Sequence, residues 1–149
     1  MADLFHTDMG DNLVAAAPDD IIQNNKVFQD YVEKVVGVAK YQNYFNAGIL
    51  LMNLDALRKF DFQKKFLYLL ETVKFSVAQD QDYLNRLCKG RVTLVDRQWD
   101  CMPLVNATTK REDIKLVHLI LHVNHGILKM YYIVNIFGNM QKKQSILMK

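Results

Sequence analysis

A chain of 149 residues, half of them apolar, 11% aromatic and with only two prolines, has the composition of one globular domain and excludes a disordered polymer. Folding at this length buries roughly 70% of the unfolded surface. The net charge of +3 hides a division: all 16 acidic residues lie at or before Asp113, so residues 1–113 set 14 Lys and Arg against 16 acids, a net of −2, while residues 114–149 carry five Lys and no acid.

Residues 12–17 (NLVAAA) are an apolar run closed by Pro18, which predicts a buried strand. From Ile21 to Val36 apolar residues recur at spacings of three and four, predicting one helix that Gly37 ends. Tyr44–Met52 (YFNAGILLM) is uncharged and predicts a central strand buried on both faces. Asn53 or Asp55 then starts a short helix with an acid early and bases late. Phe62–Phe75 predicts a second helix, with Phe62, Phe66, Leu69, Leu70 and Val73 on one face. Asp80–Cys88 predicts a third, with Gly90 at the place of a left-handed cap. Arg91–Val95 alternates like a strand, and Lys115–His118 is a further strand candidate. Strands alternating with helices predict an α/β sheet.

Three stretches carry chemistry. In Phe45-Asn46-Ala47-Gly48, Asn and Gly interrupt an apolar run although both are poor strand formers. The Gly fits a bulge or close backbone approach; the Asn is either a buried hydrogen-bonder or a ligand contact. Asp80-Gln81-Asp82 opens a helix, where a carboxylate is either an N-cap or the lining of a polar sugar pocket. Trp99, Asp100, Met102 and Pro103 form the third, and a lone Trp usually packs in a core or at its rim.

Taken together, YFNAGILLMNLDALRK and, about thirty residues later, DQDYLNRLCKGRVTLVDRQWDCMP resemble the family 8 retaining glycosyltransferases, the group that includes glycogenin and bacterial lipopolysaccharide galactosyltransferases. The opening, ADLFHTDMGDNLVAAAPD, resembles the segment that follows that family's metal-binding DxD motif, so the resemblance runs from about Ala2 to His118. It implies a nucleotide-diphospho-sugar transferase fold, Rossmann-like, with a single mixed sheet flanked by helices. It implies a UDP-sugar donor, a glycan or lipopolysaccharide acceptor, manganese or magnesium on the diphosphate, and retention at the anomeric carbon. Carried over residue by residue, Asn46, Ala47 and Gly48 lie beside the sugar and acceptor. Asp80 contacts the donor sugar, Gln81 lies near the anomeric carbon opposite the leaving group, and His118 completes the metal site. Asp80 and Gln81 are thus the catalytic candidates, with no nucleophile assigned. Carboxylate and imidazole ligands suit a hard divalent ion acting as a Lewis acid on a departing diphosphate.

The chain departs from the family at both ends. The resemblance starts just after the DxD motif, so residues 1–118 correspond to the central and C-terminal part of a catalytic domain. After His118 the family's Lys-Pro-Trp is replaced by an unrelated sequence. Back-translation shows that one deleted base converts HFNLTCKPW into residues 118–126, so residues 119–149 read as a non-family tail in a shifted frame. The same tail carries alternative readings: a tri-histidine site from His118, His122 and His125, a membrane span over Leu116–Phe137, or a basic, apolar module for anionic membranes. The interior His and Lys argue against the span. The shifted frame makes His122 and His125 accidental and explains the missing acids. Cys88 and Cys101 lack CxxC spacing, and no basic-then-apolar leader opens the chain. Both fit a cytoplasmic protein, with peripheral membrane contact as an alternative and no nucleic-acid partner. The oligomeric state is not encoded in any motif.

Overall fold

The computed structural model describes residues 2–102 and 109–118. Three strands form its sheet: β1 (Val14–Ala16), β2 (Leu51–Met52) and β3 (Val92–Leu94), in the order β2-β1-β3. β1 runs antiparallel to β2, with Val14 opposite Met52, and parallel to β3, with Val14 opposite Val92. The central strand is therefore β1. Its three small or branched side chains are fully buried, as a continuous apolar run requires.

The expected central strand over Tyr44–Met52 is corrected on two counts. In the described sheet β2 is an edge strand, and Met52 is 41% exposed. Only its two ends pair with the β1 segment, through Phe45 opposite Pro18 and through Leu51–Met52. The intervening residues leave the ladder because Asn46 Oδ1 accepts a 2.7 Å hydrogen bond from the Gly48 amide. This local turn competes with strand pairing. Burial was read correctly at Tyr44 and Phe45, which are wholly inaccessible.

The single helix expected over residues 21–36 is three pieces: α2 (Asp20–Gln23), α3 (Lys26–Tyr31) and a π-helical turn (Val32–Val36). Asn25 accepts from the amides of Val27 and Phe28 and so starts a new helix. Apolar periodicity continues through that break, which is why the pattern alone misses it. Gly37 ends the segment in the left-handed conformation, φ 82°.

α4 (Leu54–Lys59) is capped by Asn53, the first of the two expected starts. α5 (Phe62–Thr72) packs Phe66 edge-to-face against Tyr83 of α6 (Gln79–Cys88), and Gly90 follows α6 at φ 75°. A short helix, α1 (Ala2–Phe5), precedes β1. Lys115–His118 contributes a single parallel bridge, Val117 with Cys101, rather than a strand.

Two apolar clusters flank the sheet. Leu13, Val14, Ala16, Phe45, Leu57 and Cys88 form one; Ile22, Val32, Val36, Val38 and Tyr44 form the other. Burial pushes the Cys88 thiol up to about 12, so it stays a protonated packing group. Among the described residues no helix is long and apolar enough to cross a membrane. His122, His125, most of the Leu116–Phe137 run and the rest of the 119–149 tail lie outside the described residues, as does Pro103.

Candidate functional site

The FNAG segment and the first turns of α6 face each other across the end of β1. Gln81 and Asn85 lie one helical turn apart, so α6 presents both to one strand segment. Asn85 accepts from the Phe45 amide at 2.9 Å and donates to the Phe45 carbonyl at 2.8 Å, imitating a strand neighbour. Gln81 Oε1 accepts from the Ala47 amide at 2.9 Å. Between them, fully buried Asp82 accepts from the hydroxyls of Tyr44 at 2.6 Å and Tyr31 at 2.8 Å, and from the Ala78 amide at 3.0 Å. Burial, then the Asp82 carboxylate, pushes Tyr31 up to about 12 and raises Tyr44 as well, so both hydroxyls remain donors at neutral pH.

Asp19 closes the arrangement. It follows Pro18, at the end of the β1 segment, and is 3% exposed. Its Oδ1 accepts from the amides of Ile21 and Ile22, capping α2. Its Oδ2 accepts from Asn46 Nδ2 at 3.0 Å and from Gln81 Nε2 at 2.9 Å. Asn46, Ala47 and Gln81 are thus joined in one hydrogen-bonded cluster, with Gly48 tied to it through Asn46. Met102, from the third sequence stretch, places its sulfur 4.0 Å from Asn46 Nδ2, and Trp99 is a buried packing residue with Lys115 over its ring.

Asp80 is placed differently. It is exposed on the first turn of α6 and makes none of the bonds that hold the cluster. Nor does it cap the helix: the N-cap is Ala78, with no side-chain bond, and the acid reaching back to the Ala78 amide is Asp82. Gln79, just before it, has φ 42°, a strained value for a non-glycine residue.

His118 stands beside the FNAG turn. A Cβ built on Gly48 would collide with the His118 ring, nearest Cε1, so glycine is the residue that lets the ring approach. Gly48→Ala is expected to push the imidazole out and lower stability by about 1–3 kcal/mol, as overpacking does. Thermal unfolding and the His118 ring proton shifts check this; unchanged ring shifts would show that the glycine is not needed for the approach. His118 Nδ1 also lies 3.0 Å from Asp100 Oδ1, within ion-pair range. Both Asp100 oxygens and the His118 Nδ1 are buried without a hydrogen-bond partner in the described residues. Burial raises Asp100 to about 6, and the neighbouring His118 works against that rise.

The described residues do not by themselves fit a divalent ion. No group of three among their His, Cys, Asp and Glu could hold one, and His118 turns Nδ1 to Asp100. An open cavity of about 560 Å³ at the carboxyl ends of β1 and β3 is lined by Pro18, Asp96, Arg97, Gln98 and Lys110, among others, and by none of the cluster residues.

Asp19 and Asn85 were not singled out from sequence, and Asp82 and Asp100, though inside the stretches that carry chemistry, were given no site role. Asn85 carried a usable signal, its i+4 spacing from Gln81. Asp19 carried none, because its partners lie 27 and 62 residues away.

A mixed sheet with helices, and polar groups gathered at the end of its central strand, is the α/β architecture of nucleotide-sugar glycosyltransferases. The sequence pattern of "Glycosyl transferase family 8" matches residues 1–126, and the chain belongs to this family. A Haemophilus influenzae relative named "Putative glycosyltransferase" is 29% identical over 126 residues, which are 84% of this chain and 37% of the relative. Among solved structures, the galactosyltransferase LgtC in complex with donor and acceptor sugar analogs is 32% identical, with a TM-score of 0.54 over 68% of this chain and 36% of LgtC. An active-site mutant of LgtC is 31% identical, with a TM-score of 0.57 over 68% of this chain and 35% of that one. The apo structure of the WbbM bifunctional glycosyltransferase shares the fold, with a TM-score of 0.64 at 23% identity over 68% of this chain and 20% of that one. The chain therefore spans little more than a third of the Haemophilus relative's length.

Proposed function

We propose that this chain carries the sugar-side part of a retaining hexosyltransferase that uses a UDP-hexose donor and a glycan or lipopolysaccharide acceptor. The observation that carries the reading is the cluster Asn46–Ala47–Gln81 on Asp19, two carboxamides locked at the end of the central strand. Carboxamides orient hydroxyl-rich ligands by pairing donors and acceptors with them. In this reading Asn46 and the backbone of Ala47 and Gly48 border the sugar and acceptor. Gln81 faces the anomeric carbon, and exposed Asp80 is free to take donor-sugar hydroxyls. His118 is the residue that the resemblance assigns to manganese or magnesium. An ion held there would supply positive charge to a leaving diphosphate.

The 149-residue chain on its own is proposed to be inactive. One imidazole does not hold a hard divalent ion against water, and no three-ligand group exists among the described residues. Calorimetry with UDP and manganese, and transfer assays with UDP-glucose and UDP-galactose, are expected to show neither saturable binding nor turnover above background. Metal-dependent UDP binding at micromolar affinity would overturn the inactivity. The residue roles are tested by joining residues 1–118 to the donor half of a family relative. Transfer that survives Asn46→Ala and Gln81→Ala in that chimera would overturn them.

A further inference from the structure

We propose that Asp19 is a positioning residue that sets which end of the Asn46 and Gln81 carboxamides faces the sugar. The inference rests on reading those two residues as sugar-facing. An ionised carboxylate accepts and cannot donate, so any carboxamide against it must turn its NH2 inward. Asp19 Oδ2 receives both NH2 groups, from Asn46 at 3.0 Å and Gln81 at 2.9 Å. The opposite ends agree. Asn46 Oδ1 accepts from the Gly48 amide, and Gln81 Oε1 accepts from the Ala47 amide. Backbone amides cannot accept, so a flip of either side chain would set donor against donor at the backbone end and acceptor against acceptor at Asp19.

The consequence is a fixed polarity. Among the described residues, the second Asn46 N–H points to the Met102 sulfur, Gln81 keeps one N–H outside these contacts, and Asn46 Oδ1 and Gln81 Oε1 each keep one lone pair. A hexose would meet one donor for hydroxyl or ring oxygens and two acceptors, in the same orientation in every molecule. The negative charge of Asp19 behind the Gln81 NH2 also pushes that amide's electrons toward Oε1. The oxygen that the reading places near an electron-poor anomeric carbon is thereby made richer.

Asp19→Asn separates this role from simple structure. It keeps volume and an oxygen for the α2 cap, yet presents NH2 where Oδ2 received two donors. In the 15N-labelled full chain, the NH2 signals of Asn46 and Gln81 are expected to be displaced from those of exposed Asn and Gln and to exchange slowly. With Asp19→Asn they should exchange about tenfold faster, as loss of one buried hydrogen bond allows, while the Ile21 and Ile22 amides stay protected. Gln81→Glu alone sets carboxylate against carboxylate and should lower the urea midpoint. Gln81→Glu together with Asp19→Asn restores a donor–acceptor pair, so its midpoint should lie above that of Gln81→Glu alone. Fast exchange of both NH2 groups in the wild type, or strictly additive midpoints, would overturn the inference. Neither readout uses UDP or metal, so failure of the hexosyltransferase reading shows separately in the calorimetry and transfer assays.

Discussion

Asp82→Ala is expected to cost about 3–5 kcal/mol of stability, a large share of what a domain of this size possesses. Asp82 is fully buried and receives three donors from three separate segments: Tyr44, Tyr31 and Ala78. Removing the carboxylate leaves each donor without its acceptor, at about 1–3 kcal/mol for a buried group. Tyr44 suffers most, since it has no exposed surface through which water could replace the bond. Tyr31 and Ala78 are only part-buried in their bonds to Asp82 and can recover water in part. Asp82→Asn should fall between wild type and alanine, because one oxygen still accepts from Tyr44 while an NH2 set opposite the Ala78 amide cannot accept. Urea denaturation reads both variants. A midpoint for Asp82→Ala within error of the wild type would show that the carboxylate is not the anchor of α6.

The FNAG and DQD motifs were legible in sequence as a pair because their residue types do not fit the elements that contain them. Asn and Gly inside an apolar strand signalled the bulge between Phe45 and Leu51. The carboxamide of Gln81 at a helix entrance signalled a polar neighbour. Local chemistry also fixed α4, through Asn53, and the end of α6, through Gly90. What stayed hidden was long-range. Asp19 has a local role, its Oδ1 capping α2, but its second oxygen organises residues 27 and 62 positions away. Asp82 reads as one more acid on a helix until the fold brings two tyrosines onto it. The split at Asn24–Asn25 was missed because apolar spacing persists across it, while Asn25 supplies a fresh cap that hydropathy does not register. Asp80 failed as a cap for a related reason: the return bond to Ala78 comes from the acid two residues later.

Acidification from pH 7.5 to about pH 5 is expected to stabilise the fold through Asp100, and Asp100→Asn should remove most of that gain. Burial raises the folded-state carboxyl from 3.8 to about 6, with His118 opposing the rise. A carboxyl raised on folding binds its proton more tightly in the folded chain than in the unfolded one. Stability therefore increases as pH falls through the folded value and levels off once the unfolded carboxyl is protonated as well, below about pH 4. The difference of about two pH units bounds the effect at about 3 kcal/mol, and solvent relaxation around the pair brings the expected gain to about 1–2 kcal/mol. Asp20, also raised by burial against the pull of Arg97, adds to the trend and remains in the variant, so a small slope should persist. The opposing carboxylate is Asp30, held below its usual range by Lys26 and Lys34; it lies on the surface, and its loss falls at lower pH, below the window of Asp100. Neutral asparagine removes the buried charge, so Asp100→Asn should also be more stable than wild type at pH 7.5 and nearly equal to it at pH 5. Thermal unfolding of both chains across pH 4.5–8 tests this. Parallel curves for the two chains would show that Asp100 carries no buried charge at neutral pH.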